Sequence, residues 1–364
     1  MPSFDIIKEI KPKKSFRVAS VMGKFDLQTE HIKERFIGNI EFNNSWQIGC
    51  IIGKSGTGKT TIAKQLFGDN YVEKFEYKNE TILDDFNENL NIEEITKTFN
   101  SVGFSSPTSW LKPYCVLSNG EKMRVDLARA ILDEKKMFVF DEYTSVVDRD
   151  VAKIGSFAMQ KAIRKTNKKF IAVTCHFDII DWLLPDWIFN TDTMTFQQTD
   201  GQKKNKPECK FEIWETMDKS IWKMFSKYHY LNSEHNNCAR VFLGILNDVI
   251  CGFISVFTFP SPYTKKIKKV HRLVVLPDYQ GIGIGNILLN EVGKIFKNDG
   301  YRYTITTSTP ALIFPLKNNK NWICTSYGRK KNHSGLRKKT WKKNGYATNK
   351  IGSQNRITTS WEMI

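Results

Sequence analysis

The chain has 364 residues, 40% of them hydrophobic, which suits two domains with buried cores. No apolar run reaches the 18 or so residues of a membrane span, and Met1–Lys8 lacks the apolar stretch of an export signal, so a cytoplasmic protein without membrane contact is expected. Seven scattered cysteines with no Cys-x-x-Cys argue against disulfides and structural zinc. The net charge of +17 is uneven: residues 1–200 carry 27 Lys and Arg against 28 Asp and Glu, and residues 201–364 carry 28 against 10. The second half is therefore suited to an anionic partner.

Residues 1–45 alternate apolar and polar positions around Phe16–Met22 and Phe25–Leu27, which predicts a small antiparallel strand layer. An aromatic in such a layer can stack on adenine. Phe25 is the candidate, with a plain core role as the alternative. Next comes Gly53-Lys54-Ser55-Gly56-Thr57-Gly58-Lys59-Thr60, which fits G-x-x-x-x-G-K-[ST]. The preceding Trp46–Ile52 reads as a buried strand, and Thr61–Phe67 as a helix. In that setting the glycines let successive amides, that of Thr61 included, face phosphate oxygens at a helix N-terminus. Lys59 is expected to reach the β- and γ-phosphates, and the Thr60 hydroxyl to hold Mg²⁺. The chain is expected to bind ATP.

Residues 69–100 are acidic and rich in Asn, with an amphipathic stretch at Ile92–Phe99. Leu117-Ser118-Asn119-Gly120-Glu121 then leads into a helical run, Val125–Leu132. The strand-like Met137–Phe140 ends at the carboxylate pair Asp141-Glu142, and a second buried strand, Lys169–Thr174, ends near His176. These motifs in this order resemble the ABC ATPases over roughly residues 15–200. The resemblance implies that Asp141 sits beside Mg²⁺, that Glu142 polarises the attacking water, and that His176 senses the γ-phosphate. It also implies that Ser118, Gly120 and Glu121 meet the γ-phosphate across a dimer interface, with Asp148 in the D-loop. Asn119 and Glu121 depart from the family's LSGGQ, no Q-loop glutamine is visible, and the short interval before the signature leaves room only for a small helical part. Since the signature completes a site head to tail, an ATP-dependent homodimer is implied.

Residues 201–210 read as a polar, basic linker between domains at 1–200 and 211–364. A helix is expected over Glu215–Tyr228, then strands at Ala239–Leu246 and Val249–Phe257. The stretch His271–Val275, then Leu276-Pro277, then Gln280-Gly281-Ile282-Gly283-Ile284-Gly285, runs from a strand into a helix at Asn286–Lys297. It resembles the acetyl-CoA motif of GNAT acetyltransferases over roughly residues 212–328. The resemblance implies an α+β fold whose loop Gln280–Gly285, with Val275, holds the pyrophosphate of acetyl-CoA or a related acyl-CoA. A strand at Tyr301–Ser308 and a helix at Pro310–Lys317 follow. His229, Tyr230, Glu234, His235, His271 and Ser308 are candidates for proton transfer, and spacing does not decide between them. Phe225–Leu231 and Thr307-Ser308 bear a weak resemblance to phage Mom-type DNA-modifying proteins, in which Arg272 would match a basic position. Thr309 stands where that group has an acidic residue.

Residues 317–364 hold 12 Lys and Arg against one acidic residue, and Tyr327–Tyr346 interleaves cations with aromatics. The basic segment 317–350 suits phosphates, with Trp341 or Tyr346 placed to stack on bases, and a solvated loop is the alternative. Arg356–Ile364 is expected to close the sheet as a strand. The order ABC ATPase then GNAT resembles fused proteins of prokaryotes and their viruses. The leading expectation is an ATP-switched acyl transfer onto nucleic acid, DNA or RNA. ATP-regulated protein acylation and an ATP-driven nucleic-acid clamp with a non-catalytic GNAT fold remain the alternatives.

Overall fold

The computed structural model describes residues 3–10, 15–26, 32–42, 45–199, 209–229, 234–262, 264, 266–329 and 357–364. They fall into two compact units, Met1–Asn79 with Tyr114–Pro207, and Glu80–Pro113 with Glu208–Ile364.

The first unit opens with β1 (Ser3–Ile10), α1 (Phe16–Lys24) and β2 (Ile32–Asn39). β1 and β2 pair antiparallel along their lengths, so the expected strand layer is present but built from other residues. Phe16–Met22 is helical because Ser15 caps it, accepting from the Val18 amide at 3.3 Å, and Phe16, Ala19 and Met22 repeat at helical spacing. Phe25 lies just past that helix and is 65% exposed. The aromatic against the P-loop is instead Phe36, whose ring lies 2.5 Å from where a Cβ on Gly58 would stand.

β3 (Ile48–Ile52), α2 (Lys59–Phe67) and β4 (Tyr71–Val72) follow, then α3 (Ile92–Ser101) and α4 (Pro107–Trp110) of the excursion 80–113. The chain returns as α5 (Asn119–Leu132), β5 (Met137–Phe140), α6 (Arg149–Ile163), β6 (Lys169–Thr174), α7 (Ile180–Leu183), β7 (Trp187–Asn190) and β8 (Thr195–Gln198). The sheet order is β4-β5-β6-β3-β7-β8, parallel except at β7–β8. Every residue of β3 is buried, as its unbroken apolar run requires of a strand covered on both faces. The P-loop leaves the carboxyl end of β3, where open parallel sheets form ligand crevices.

The second unit continues with β9 (Phe211–Thr216), α8 (Trp222–Ser226), β10 (Arg240–Leu246), β11 (Val249–Thr258), β12 (Ile267–Val275) and α9 (Ile284–Asn298). It ends with β13 (Arg302–Thr307), α10 (Pro310–Lys317), β14 (Trp322–Arg329) and β15 (Ile357–Met363). The helix expected over 215–228 shrinks to α8, because Phe211–Thr216 pairs with β10 as an edge strand and Asp218 caps the turn after it. Trp222 and Phe225 still face the core, against Val241, Leu243, Phe253 and Val274. The seven-stranded order is β14-β15-β13-β12-β11-β10-β9, so the closing strand joins this sheet as expected. The parallel pair β12–β13 is matched only over Ile267–Lys269 and Arg302–Thr304, after which the strands diverge. A register shift opposite Ser255 and Val256, which face Arg272 and Val270, leaves His271 as a bulge residue in β12.

Among the described residues no helix is long and apolar enough to cross a membrane. Linker residues 200–208, Tyr230, Trp341, Tyr346 and the basic stretch 330–350 lie outside the described residues.

Candidate functional site

The first unit gathers its motifs around the P-loop. Gly53, Gly56 and Gly58 have φ of +152°, +86° and +87°, a left-handed path open to glycine. At Gly53 close approach also excludes a side chain, since a Cβ would stand 2.1 Å from Thr191 Oγ1. The loop is braced by the Lys54 amide donating to Asp192 at 2.8 Å and by Thr57 Oγ1 donating to the Lys54 carbonyl at 2.9 Å. Lys59 is 8% exposed, and its Nζ donates to that same carbonyl at 2.7 Å. The ammonium is thus folded into the loop, with backbone amides around it and α2 behind. Ser55 is exposed, and Thr61 lies in the first turn of α2.

Thr60 donates its hydroxyl to Asp141 Oδ2 at 2.8 Å, across 81 positions of sequence. Oxygen donors of this kind suit Mg²⁺, which is held by one or two carboxylates with substrate phosphates rather than in a protein cage. The residues present fit the ion, and among the described residues no group of three His, Cys, Asp or Glu forms a cage. Tyr71 also donates to Asp141 Oδ2, at 2.5 Å. No motif announces Tyr71, because β4 is only two residues long. Burial, and then Asp141, push its hydroxyl pKa up, so it remains a donor.

Glu142 follows Asp141 at φ +50°, strain of about 1–3 kcal/mol of a kind that collects at functional sites. Its amide donates to Asp141 Oδ1 at 2.8 Å, and its carbonyl accepts from the Ser145 hydroxyl at 2.8 Å. His176 lies after β6, where burial foremost, and then the Arg149 guanidinium, lower its pKa and keep it neutral at pH 7. Asp148 caps α6, accepting from the Asp150 amide at 2.9 Å.

The two departures from LSGGQ have local explanations. Glu121 accepts from the Ser118 amide at 3.0 Å while Ser118 Oγ accepts from the Glu121 amide at 3.3 Å, a reciprocal cap at the start of α5. Asn119 Nδ2 donates to the Val146 carbonyl at 3.1 Å, tying the start of α5 to the loop before α6. Gly120 is buried behind them.

In the second unit, Gly281 and Gly283 have φ of +88° and +100°. Gly283 stands at the N-cap of α9, and a Cβ there would meet nothing within 4 Å, so the loop leaves open space at the N-terminus of a 15-residue helix. That cradle fits a pyrophosphate held by amides alone. Gln280 Nε2 donates to the Val275 carbonyl at 3.0 Å and fastens the loop to β12. Gly285 lies against Val275, whose side chain would be 3.6 Å from a Cβ at that position. Ile284 faces inward at 2% exposed, so only its backbone is available to a ligand, whereas Ile282 is half-buried.

The proton-transfer candidates sort themselves around Trp222. The rings of His229 and His235 lie 5.8 and 5.7 Å from it, and His235 lies 5.5 Å from His271 on the β12 bulge. Among the described residues, both nitrogens of His235 and Nδ1 of His271 are buried without a hydrogen-bond partner. Burial, and then Arg272, lower both imidazole pKa values, that of His271 to about 4. Both rings are therefore neutral at pH 7. Arg272 is 8% exposed and donates to the carbonyls of Glu234 at 2.9 Å and His271 at 3.0 Å, which gives it a bracing position. Ser308 is half-buried just beyond β13, where that strand has diverged from β12. The structure thus brings together His229, His235, His271 and Arg272. The His235–His271 pair was invisible at a separation of 36 positions, since only the bulge and the loop before β10 bring the rings together.

Residues 205–313 match the model of the Acetyltransferase (GNAT) family. No curated protein matches the chain. Among solved structures, the chain is similar to the IAA acetyltransferase from Bacillus cereus ATCC 14579, at 14% identity over 42% of this chain and 99% of that one, with a TM-score of 0.30. It is similar to the ribosomal-protein-S18-alanine N-acetyltransferase from Escherichia coli, at 13% identity over 42% of this chain and 93% of that one, TM-score 0.30. It is also similar to the ATP-binding cassette MJ0796, as a post-hydrolysis dimer bound to ADP and Pi, at 15% identity over 43% and 87%, TM-score 0.35.

Proposed function

We propose that the chain joins an ABC-type ATPase to a GNAT acetyltransferase and works as an ATP-switched enzyme that acylates an amine on nucleic acid. The ATPase is assigned to residues 1–200 and the acyltransferase to 211–364. The observation that carries the reading is the pair of glycine cradles, each opening a helix and each supported by its own chemistry: Thr60 with Asp141 in one, the His235–His271 pair in the other. Lys59 and the P-loop amides hold the triphosphate, Thr60 and Asp141 hold Mg²⁺, and Glu142 and His176 face the γ-phosphate. Ser118 and Gly120 complete the site of a second copy, so ATP closes a homodimer.

In the acyltransferase half, the amides of Gly281–Gly285 hold the coenzyme. Acetyl-CoA supplies an activated acyl thioester when bound. His271 and His235, both neutral at pH 7, are the rings placed to take the proton of the acceptor amine. Arg272 positions His271 through its carbonyl. Nucleic acid is favoured as acceptor because residues 201–364 hold 28 Lys and Arg against 10 Asp and Glu.

The test supplies the full chain with ATP, Mg²⁺ and acetyl-CoA labelled in its acetyl group, together with duplex DNA, single-stranded DNA, RNA and a mixture of purified proteins. Label should enter a nucleic acid and appear on a base after digestion. Label in protein alone would replace this reading with protein acylation, and bound acetyl-CoA with no transfer would leave a clamp.

A further inference from the structure

The excursion 80–113 leaves the first unit after Asn79 and returns at Tyr114, yet it packs within the second. It is internally stiff. Ile82 and Lys112 close its neck with a 3.0 Å backbone hydrogen bond. Asn91 and Glu94 cap α3 reciprocally, and Phe99 packs against Phe86, Phe104 and Trp110. Trp110 Nε1 donates to the Phe104 carbonyl at 2.9 Å and fixes the turn after α3. From that turn the Ser105 amide donates to Gln280 Oε1 at 2.8 Å, on the residue whose other amide atom is bound to Val275. α3 also packs against α10, which follows Ser308. The excursion therefore holds the first residue of the acyl-CoA loop.

The residues that flank it in the first unit are fastened to one face of α5. Tyr77 and Tyr114 stack with centroids 3.9 Å apart and planes 3° apart, and each donates its hydroxyl to Asp126 at 2.7 Å. Arg129, one turn on, donates to the Glu76 carbonyl at 2.6 Å and lies over the rings of Phe75 and Tyr77. Lys122, one turn before, lies over Tyr114 at 5.6 Å. Lys122, Asp126 and Arg129 have the i, i+4, i+7 spacing of a single helical stripe. The same helix is capped by Ser118, about 12 Å from Asp126 along its axis.

We propose that residues 80–113 are a strap by which the ATP state of the signature helix sets the position of Gln280 in the acyl-CoA loop. Ser105 is a positioning residue acting through Gln280, and the Tyr77–Tyr114–Asp126 clasp is the anchor. This rests on the ATPase and acyltransferase reading above. If ATP acts on Ser118 at the head of α5, a shift of that helix is passed to Tyr77 and Tyr114, and through the chain to the excursion that runs between them. Linkage then requires ATP and acyl-CoA to alter each other's affinity by one common factor.

Calorimetry on the full chain measures that factor, with acetyl-CoA titrated in the presence and absence of Mg²⁺ and a non-hydrolysable ATP analogue. The wild type should show a change in acetyl-CoA Kd of at least about fivefold, matched by an equal change for the analogue. The double variant Tyr77→Phe, Tyr114→Phe keeps the ring stack but removes both hydroxyls, and Ser105→Pro removes the donated amide. Each should bind both ligands with a factor near one. A wild-type factor of one with both ligands bound, or an undiminished factor in both variants, would overturn the strap alone. Failure of the wild type to bind acetyl-CoA would remove the acyltransferase reading, and the strap with it.

Discussion

The two glycine loops, 53–60 and 280–285, reach a similar backbone path in different surroundings. In each, a glycine in the left-handed region caps a helix without a side-chain hydrogen bond, Gly58 at φ +87° and Gly283 at φ +100°. Beyond that the loops diverge. Gly58 is pressed by Phe36 and Gly53 by Thr191, whereas Gly283 faces open space. The first loop folds a buried ammonium into itself and stands beside a carboxylate with two hydroxyls on it; the second, Gln280–Gly285, holds no charged residue. A triphosphate with its metal needs a fixed cation and oxygen ligands, and a pyrophosphate can be held by amides and a helix terminus. On the function proposed above, the charge of the ligand decides how much the loop must add to the backbone.

Removing the charge breaks the comparison on one side. Lys59→Ala should weaken ATP binding by roughly a hundredfold or more, since hydrogen bonds to charged groups contribute about 1.5–3 kcal/mol each. Acetyl-CoA binding should be unchanged, with both read by calorimetry on one preparation. Adding charge breaks it on the other side. Gly283→Asp places a side chain at φ +100° and a negative charge where a pyrophosphate would lie, and acetyl-CoA affinity should fall at least about tenfold. ATP binding that survives in this variant excludes general misfolding.

A subtler change separates binding from chemistry at the first loop. Glu142→Gln keeps the Asp141 contacts with Thr60 and Tyr71, so ATP should still bind, while turnover falls at least about tenfold and gel filtration shows an ATP-held dimer. A variant that stays monomeric with ATP at micromolar concentration would contradict the head-to-tail arrangement.

The smallest effect concerns the imidazole pair. The folded-state pKa of His271, about 4, lies below its ordinary value of 6.5, so folding favours the neutral ring. That contribution is fully present above pH 6.5 and is lost as pH falls through about 4. His235 and Arg272 face the ring, and both disfavour its protonation. Urea midpoints of the wild type should therefore fall between pH 7 and about 4.5, and His271→Gln, which cannot take up the proton, should lessen that fall. Equal slopes in the two proteins would place the acid sensitivity elsewhere.

Much of this architecture can be read from residue order. Met137–Phe140, Lys169–Thr174 and Pro310–Lys317 form the expected elements at the expected bounds, because unbroken apolar runs beside charged or proline-bearing ends leave few alternatives. The glycine loops are equally legible, since φ beyond +80° leaves a mark in composition. Phe16–Met22 misleads because a short apolar run fits either period, and its cap settles the matter. Phe211–Thr216 misleads because an edge strand takes its identity from β10, 25 or more positions away. The same limit hides Tyr71 on Asp141, Ser105 on Gln280 and His235 beside His271, contacts made across 70, 175 and 36 positions. Local pattern carries no information about such pairs.

On this account one chain carries two separate cradles for two phosphate-bearing ligands. Coenzyme A itself contains a phosphorylated adenosine diphosphate, so a single promiscuous site is the sharpest rival. Sequential calorimetry distinguishes them: the full chain is saturated with Mg²⁺ and a non-hydrolysable ATP analogue, then titrated with acetyl-CoA. Two cradles predict one further acetyl-CoA bound per chain, with the analogue retained. Displacement of the analogue by acetyl-CoA, or no further binding once the P-loop is filled, would contradict the account.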